Sequence, residues 1–145
     1  MSIEKNYTIN SQQEMQDLGE KIAKSIPQNR KQAVVFALMG ELGSGKTTFV
    51  QGLAKGLGIK EKILSPTFVL MKRFKNFYHF DCYRVKKEDL KELGLEDIFN
   101  NPNSIVAIEW AENIEEVLPK GCFLLKFSLV KVGIRKVVMM YDLSR

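Results

Sequence analysis

Short apolar runs and apolar residues at helical spacing divide the chain into predicted elements. Residues 33–39 are apolar at every position and residues 104–110 nearly so, which predicts two central strands covered on both faces. Between Ser11 and Ile26, apolar residues recur every three or four positions, and Pro27 follows. This spacing predicts an amphipathic helix that starts at Asn10 or Ser11 with the Ser-x-x-Glu pattern of a capping box.

The rest of the chain predicts further strands and short helices. The polar residues at 72–76 predict a hairpin turn that joins two antiparallel strands. In chain order, the predicted elements are a helix over 46–57, a strand that follows the break at Ser65-Pro66 and reaches Leu70, a strand over 77–81, a polar helix over 86–100 broken at Gly94, a short helix or turn over 111–118, and an antiparallel hairpin formed by strands over 122–130 and 134–143.

Composition and charge narrow the class of protein. With 145 residues, 45% of them hydrophobic, the chain is expected to form a single domain over residues 1–145. No apolar run approaches the ~20 residues of a membrane span, and no signal peptide is evident, so a cytoplasmic protein with no membrane partner is expected. Cys82 and Cys122 lack metal-binding spacing, which favours reduced thiols. The net charge of +5 fits a lysine-rich surface better than it indicates a polyanion site.

The most informative motif follows the first apolar run directly. Gly40-Glu41-Leu42-Gly43-Ser44-Gly45-Lys46-Thr47-Thr48 matches the Gly-x-x-x-x-Gly-Lys-Thr pattern of a P-loop. Glycines permit a tight turn that aims several N–H groups at one phosphate chain, and the following helix adds its positive dipole end. Lys46 can reach the terminal phosphates, and the Thr47 hydroxyl can ligate Mg²⁺. The segment predicts that the protein binds a nucleoside triphosphate.

Two acids at predicted strand ends are candidates for the metal and for hydrolysis. Glu109 ends the apolar run at 104–110 in the manner of a Walker B acid, although a surface acid is the alternative. Asp81 ends another strand, where capping of the next helix is the alternative. Thr67 could bring its hydroxyl to the γ-phosphate or Mg²⁺, as in switch loops, or be an ordinary strand residue. His79 is interpreted as a packed or hydrogen-bonded residue rather than a metal ligand.

The order of these motifs closely resembles one family. After the P-loop come Ser65-Pro66-Thr67-Phe68, His79-Phe80-Asp81-Cys82-Tyr83-Arg84 and Ile108-Glu109-Trp110-Ala111-Glu112. This set resembles the TsaE family, small bacterial P-loop ATPases of the tRNA threonylcarbamoyladenosine pathway. The resemblance covers about residues 10–112. Glu41 stands where the family commonly has Asp, and Cys82 where an aliphatic residue is usual, but neither change removes a group that the chemistry needs.

The resemblance implies an activity, partners and residue roles. It implies an ATPase, with ATP and Mg²⁺ as cofactors, that resets the TsaB–TsaD complex between turnovers without transferring the threonylcarbamoyl group itself. It also implies proximity to tRNA through that complex. By position, the P-loop residues 40–48 and Thr67 bind ATP, Lys46 holds the phosphates, and Thr47 and Glu109 lie on the metal side. Asp81 matches the other acid of the site, either as the group that orients water or as support for the metal. Ser11 and Arg135 fall where family members approach the nucleoside.

Together these patterns predict an α/β fold of the P-loop NTPase type. The expected sheet is mixed, with central parallel strands, helices on both faces and a C-terminal antiparallel hairpin. Hydrolysis is expected to depend on Lys46, Asp81 and Glu109 through positioning and electrostatic stabilisation. Two alternatives are a small P-loop nucleotide or metabolite kinase and a nucleotide-dependent regulatory switch. GTP is disfavoured because no Asn-Lys-x-Asp motif is present.

Overall fold

A computed structural model of the protein describes residues 2–63, 71–85 and 87–142. Within these ranges it forms seven strands, four α-helices and one 3₁₀ helix. The strands are β1 (Ser2–Ile9), β2 (Val34–Gly40), β3 (Met71–Phe74), β4 (Phe77–Asp81), β5 (Ile105–Glu109), β6 (Phe123–Lys131) and β7 (Ile134–Asp142). The helices are α1 (Gln12–Lys24), α2 (Lys46–Gly56), α3 (Lys87–Glu92), α4 (Leu95–Asn100) and the 3₁₀ helix Ala111–Val117.

The described strands form one mixed sheet in the order β1-β7-β6-β2-β5-β4-β3. The four central strands β6, β2, β5 and β4 run parallel, while β1–β7, β6–β7 and β3–β4 pair antiparallel. This arrangement confirms the predicted α/β class, the central parallel strands and the C-terminal hairpin. The carboxyl ends of β2, β4 and β5 therefore lie side by side, which is the edge where open α/β sheets bind ligands.

Helices α1 and α2 cover one face of the sheet and pack closely against each other. Phe49, Val50 and Leu53 of α2 are fully buried against the strands. The helix backbones approach so closely that a Cβ added at Gly52 would lie 2.1 Å from the carbonyl oxygen of Gln16. A glycine is needed at this position because any side chain would force the two helices apart. The N-terminal end of α1 is thereby held beside the start of α2.

On the other face of the sheet, α3, α4 and the 3₁₀ helix cover the half that is formed by parallel strands. Their buried apolar residues pack on the residues of β2, β4 and β5 that point to this side, and they include Leu90, Leu95, Ile98 and Ile114. The cysteines lie in the same core cluster, and burial raises the pKa of the Cys82 thiol to about 12. Helices on both faces were predicted and are confirmed. The predicted break of the 86–100 helix at Gly94 is also present, because Gly94 separates α3 from α4 with a φ of 68°.

Two edge strands differ from the prediction. Strand β1 was not predicted. Residues 3–6 are exposed, so the packing of Tyr7 and Ile9 against the core gives no clear strand pattern in the sequence. The hairpin turn predicted at 72–76 is wrong in extent, since β3 occupies Met71–Phe74 and pairs with β4, leaving only residues 75–76 in the turn. Charged side chains on an edge strand prevent unwanted pairing with other strands. In the sequence, the same charged residues favour the prediction of a turn. The strand predicted after Ser65-Pro66 lies outside the described residues.

Candidate functional site

A glycine-rich loop joins the end of β2 at Gly40 to the start of α2 at Lys46. Gly40 has a φ of 145°, and a Cβ there would lie 2.4 Å from the carbonyl oxygen of Phe127 on β6. Gly45 caps α2 with a φ of 106°. Both positions therefore exclude larger residues. A loop of this shape at a helix N-terminus can bind an anion such as phosphate through its N–H groups and the helix dipole.

Lys46 lies under the loop rather than in solvent. Its ammonium donates to the carbonyl oxygens of Gly40 and Glu41, the latter at 3.1 Å, and lies 4.0 Å from the centre of the Trp110 ring. Burial lowers the pKa of Lys46, and the nearby carboxylates, Glu109 foremost, act in the opposite direction. The loop carbonyls, the aromatic face and the acids thus hold a cation at the centre of the site.

A chain of hydrogen bonds links α2, β5 and β4 beneath the loop. The Thr47 hydroxyl donates to Glu109 Oε1 at 2.8 Å, and His79 Nε2 lies 2.6 Å from Glu109 Oε2. Glu109 is only 3% exposed and His79 is fully buried. Both oxygens of a buried carboxylate are therefore paired. The interpretation of His79 as a packed, hydrogen-bonded residue agrees with this position.

Asp81 lies beside Glu109 across the sheet. The two acids are directly paired in the register of β4 and β5, so both stand at the carboxyl edge. Burial raises the pKa of Asp81, and the charge of Glu109 adds to this, while a hydrogen bond from the Tyr83 backbone N–H to Oδ1 at 3.0 Å acts against it. Asp81 therefore holds its charge less readily than an exposed aspartate and is oriented by its own chain.

The opposite wall of the site comes from α1 and β7. The Ser11 hydroxyl caps α1 by accepting from the Glu14 N–H at 3.1 Å, and the Glu14 carboxylate accepts from the Asn10 N–H at 3.2 Å. The predicted capping box is thus present in a closely related form. Arg135 Nε donates to the carbonyl oxygen of Gly43 at 3.1 Å, which ties β7 to the glycine-rich loop.

These residues surround one cleft of about 890 Å³. The predicted site residues that line it are Ser11, Leu42, Gly43, Ser44, Gly45, Lys46, Thr47, Thr48, Asp81, Glu109 and Arg135. Gly40 and Glu41 contribute to the loop but do not line the cleft. Thr67 lies outside the described residues. The cleft thus brings together residues that are up to 124 positions apart in sequence, and its volume suits a nucleotide-sized ligand.

Two further groups at this site were not predicted from the sequence. The Glu112 carboxylate accepts from the Gly40 N–H at 3.2 Å, and the ring of Tyr83, 56% exposed, lies 4.8 Å from that of Trp110. Glu112 and Tyr83 belong to the same short motifs as Glu109 and Asp81. Their closeness in sequence to these two acids is the signal that could have identified them as site residues. Their contacts depend on how the turns after β4 and β5 fold, which the pattern does not reveal.

The oxygen donors at this site suit a hard divalent cation. Across the described ranges, no group of three or more His, Cys, Asp or Glu side chains is placed to hold a metal ion. Nucleotide sites usually bind Mg²⁺ through one or two carboxylates together with substrate phosphates and water. The Thr47 hydroxyl and the Glu109 carboxylate, in contact at the start of α2, fit that pattern.

Comparison with known proteins identifies the family. The family model described as "Threonylcarbamoyl adenosine biosynthesis protein TsaE" matches residues 9–137. The chain belongs to the TsaE family. The family resemblance seen in the sequence motifs is thereby confirmed, and the match extends beyond residue 112 into β6 and β7 of the TsaE chain.

Individual relatives agree with the family model. The chain is 42% identical over 103 residues to the tRNA threonylcarbamoyladenosine biosynthesis protein TsaE of Bacillus subtilis, covering 68% of this chain and 64% of that protein. It is 38% identical over 118 residues to the protein of the same name from Rickettsia typhi, covering 77% and 78%. The match to the Bacillus subtilis relative thus spans somewhat less than two thirds of that protein's length.

A solved structure shares the fold. The crystal structure of YdiB from Bacillus subtilis superposes with a TM-score of 0.81 at 27% identity, covering 97% of this chain and 87% of that one. In the described parts of the chain, no helix has the length and apolar character needed to cross a membrane.

Proposed function

We propose that this TsaE-family protein is a Mg²⁺-dependent ATPase. The observation that carries the proposal is the convergence of Lys46, Thr47, Asp81 and Glu109 around one glycine-rich loop at the carboxyl edge of the sheet. A phosphate-binding loop, a cation, a metal-side acid and a second acid are the parts that phosphoryl transfer to water requires. Catalysis would rest on positioning and electrostatic stabilisation, since no covalent step is needed.

Each residue has a distinct task in this proposal. The loop N–H groups and Lys46 bind the β- and γ-phosphates and offset the charge that develops on them. Thr47 and Glu109 hold Mg²⁺, which neutralises phosphate charge when bound. Asp81, next to Glu109 but outside its hydrogen-bond chain, orients the attacking water. Ser11 and Arg135 line the same cleft and would contact the nucleoside.

The pathway is inferred from the relatives. Proteins 42% and 38% identical to this chain are named tRNA threonylcarbamoyladenosine biosynthesis proteins. We infer that this chain acts in the same modification and uses ATP to reset the TsaB–TsaD complex between turnovers, which brings it close to tRNA without performing the transfer. The rate of ATP hydrolysis is then expected to respond to that complex.

The first experiment tests hydrolysis. Purified protein should release phosphate from ATP in the presence of Mg²⁺ without any added acceptor, because water is the acceptor. Lys46→Ala should lose ATP binding, since the ammonium lies at the centre of the site. Lys55→Ala, an exposed lysine on the same helix, is the matched control and should behave as wild type. Phosphate transfer only to a small-molecule acceptor would support the kinase alternative and refute the ATPase.

The second experiment tests the pathway. ATP turnover is measured alone and with TsaB, TsaD and substrate tRNA, and stimulation is expected only when the complex is present. Affinity for TsaB–TsaD is compared in ATP and in ADP, because a resetting role requires that hydrolysis changes the affinity. Unchanged turnover and equal affinity in both nucleotides would refute the pathway assignment while leaving the ATP site intact.

A further inference from the structure

His79 occupies a position that the reaction scheme does not yet use. It lies on β4 two residues before Asp81, so both side chains point to the face covered by α2. In the parallel register, His79 is opposite Ala107 and Asp81 is opposite Glu109. The Glu109 side chain therefore leans back along the sheet to meet His79 at 2.6 Å, and the imidazole at this contact is fully buried.

The direction of this hydrogen bond follows from the chemistry of its partners. An ionised carboxylate only accepts, so the proton lies on His79 Nε2 and the ring donates to Glu109 Oε2. Oε1 is left facing the Thr47 hydroxyl at 2.8 Å. The last torsion of a glutamate is broad and weakly constrained by itself. Two donors on opposite sides of the carboxylate fix that torsion in one orientation.

Without the imidazole, Glu109 Oε2 would lose its hydrogen-bond donor, and the carboxylate would be held through Oε1 and Thr47 alone. Lys46 lines the same cleft and could then compete with Thr47 for the acid. His79 therefore keeps the carboxylate turned toward Thr47.

We propose that His79 is a positioning residue that holds the Glu109 carboxylate in the orientation required for Mg²⁺ beside Thr47. The inference rests on the proposed function, because it assigns Glu109 to the metal. The buried imidazole acts through Glu109 and touches neither nucleotide nor metal. Groups that orient a metal ligand typically change metal affinity 10–100-fold when they are removed.

The test compares variants that differ in whether they can reach Glu109. His79→Gln keeps an N–H donor near the position of Nε2, whereas His79→Asn carries the same amide one methylene shorter and His79→Leu removes the donor at similar volume. Phe77→Leu is the matched control, because Phe77 is a buried residue on the same strand and face and is outside the site. Thermal unfolding reports on the stability of each variant.

The readout is the effect of Mg²⁺ on ATP affinity. Affinity is measured by calorimetry and by the fluorescence of Trp110, the single tryptophan, with excess Mg²⁺ and with EDTA. His79→Leu and His79→Asn should weaken binding about 10–100-fold with Mg²⁺ and much less in EDTA. His79→Gln should recover most of the loss, and Phe77→Leu should lower thermal stability without changing the Mg²⁺ effect.

The outcomes separate this inference from the proposed function. An unchanged Mg²⁺ effect in His79→Leu, or in His79→Asn if the leucine variant does not fold, would overturn the positioning role. So would a glutamine variant no better than the asparagine variant. If wild-type protein bound ATP equally with Mg²⁺ and with EDTA, the proposed Mg²⁺ site would itself be refuted, whatever the variants did.

Discussion

Replacing Gly52 by alanine tests whether the contact between α1 and α2 holds the site together. An added Cβ would lie 2.1 Å from the carbonyl oxygen of Gln16 and 2.9 Å from its Cα, whereas ordinary contacts begin near 3.4 Å. Both atoms belong to the backbone, so no side-chain rotation can relieve the clash. The helices would have to separate by about 1 Å, and overpacking of this kind costs about 1–3 kcal/mol.

The net effect also includes helix propensity. Alanine favours a helix interior over glycine by about 1 kcal/mol, which offsets part of the clash. We therefore expect Gly52→Ala to lower the free energy of unfolding by about 1–2 kcal/mol, since a backbone-to-backbone clash belongs at the upper end of the overpacking range. For a chain of 145 residues this corresponds to a fall in Tm of about 3–7 °C.

Thermal and urea unfolding followed by circular dichroism measure this change. Lys55→Ala on the exposed side of the same helix is the control; its ion pair with Glu20 is long, at 3.8 Å, so a change within about 0.5 kcal/mol is expected. ATP affinity should also fall in Gly52→Ala, because α1 carries Ser11 and Met15 to the cleft. A Tm equal to or above that of wild type would refute the close packing described between these helices.

Three further changes probe the cleft. Thr47→Val should lower the free energy of unfolding by about 1–2 kcal/mol and remove the Mg²⁺ effect on ATP binding. Thr47→Ser keeps the hydroxyl and should preserve both. Equal losses in the valine and serine variants, measured by urea unfolding and calorimetry, would contradict this. Asp81→Asn should abolish phosphate release. Because burial raises the folded pKa of Asp81, the stability of wild type falls as pH rises from the ordinary value of 3.8 through the folded value. The variant should therefore be slightly more stable than wild type in urea at pH 7 and should lose this advantage below pH 3.8. Arg135→Met should weaken ATP binding a few-fold by releasing the loop at Gly43, and unchanged affinity would exclude that role.

Much of the fold could be predicted because the central elements carry strong local patterns. Strands β2 and β5 are buried on both faces and so are apolar up to Glu109 at the end of β5, and α2 places Phe49 and Leu53 at helical spacing. The edge strands β1 and β3 gave no comparable signal. Both strands expose charged residues on at least one side and owe their extended form to pairing with a neighbouring strand. Strand β1 pairs with β7, which lies far along the chain, and β3 pairs with β4, which follows it across a short turn.

The residues of the site were predictable from their types and spacing, but their connections were not. Lys46, Thr47, Asp81 and Glu109 stand out in short motifs at strand ends. The contact between Thr47 and Glu109 depends on β5 lying next to β2, although 64 residues lie between the end of β2 at Gly40 and the start of β5 at Ile105. Strand order of this kind is a tertiary property, so hydrogen-bond partners cannot be read from the motifs alone.

The geometry supports a division of work between the two acids, which the sequence left open. Glu109 has both oxygens engaged by donors from α2 and β4, so its orientation is fixed. Among the described residues, Asp81 accepts a hydrogen bond from the Tyr83 backbone N–H and lines the cleft. A metal ligand gains from a fixed orientation, whereas a group that orients water must face it with a spare oxygen. We therefore propose that Glu109 would hold Mg²⁺ beside Thr47 and that Asp81 would orient the attacking water.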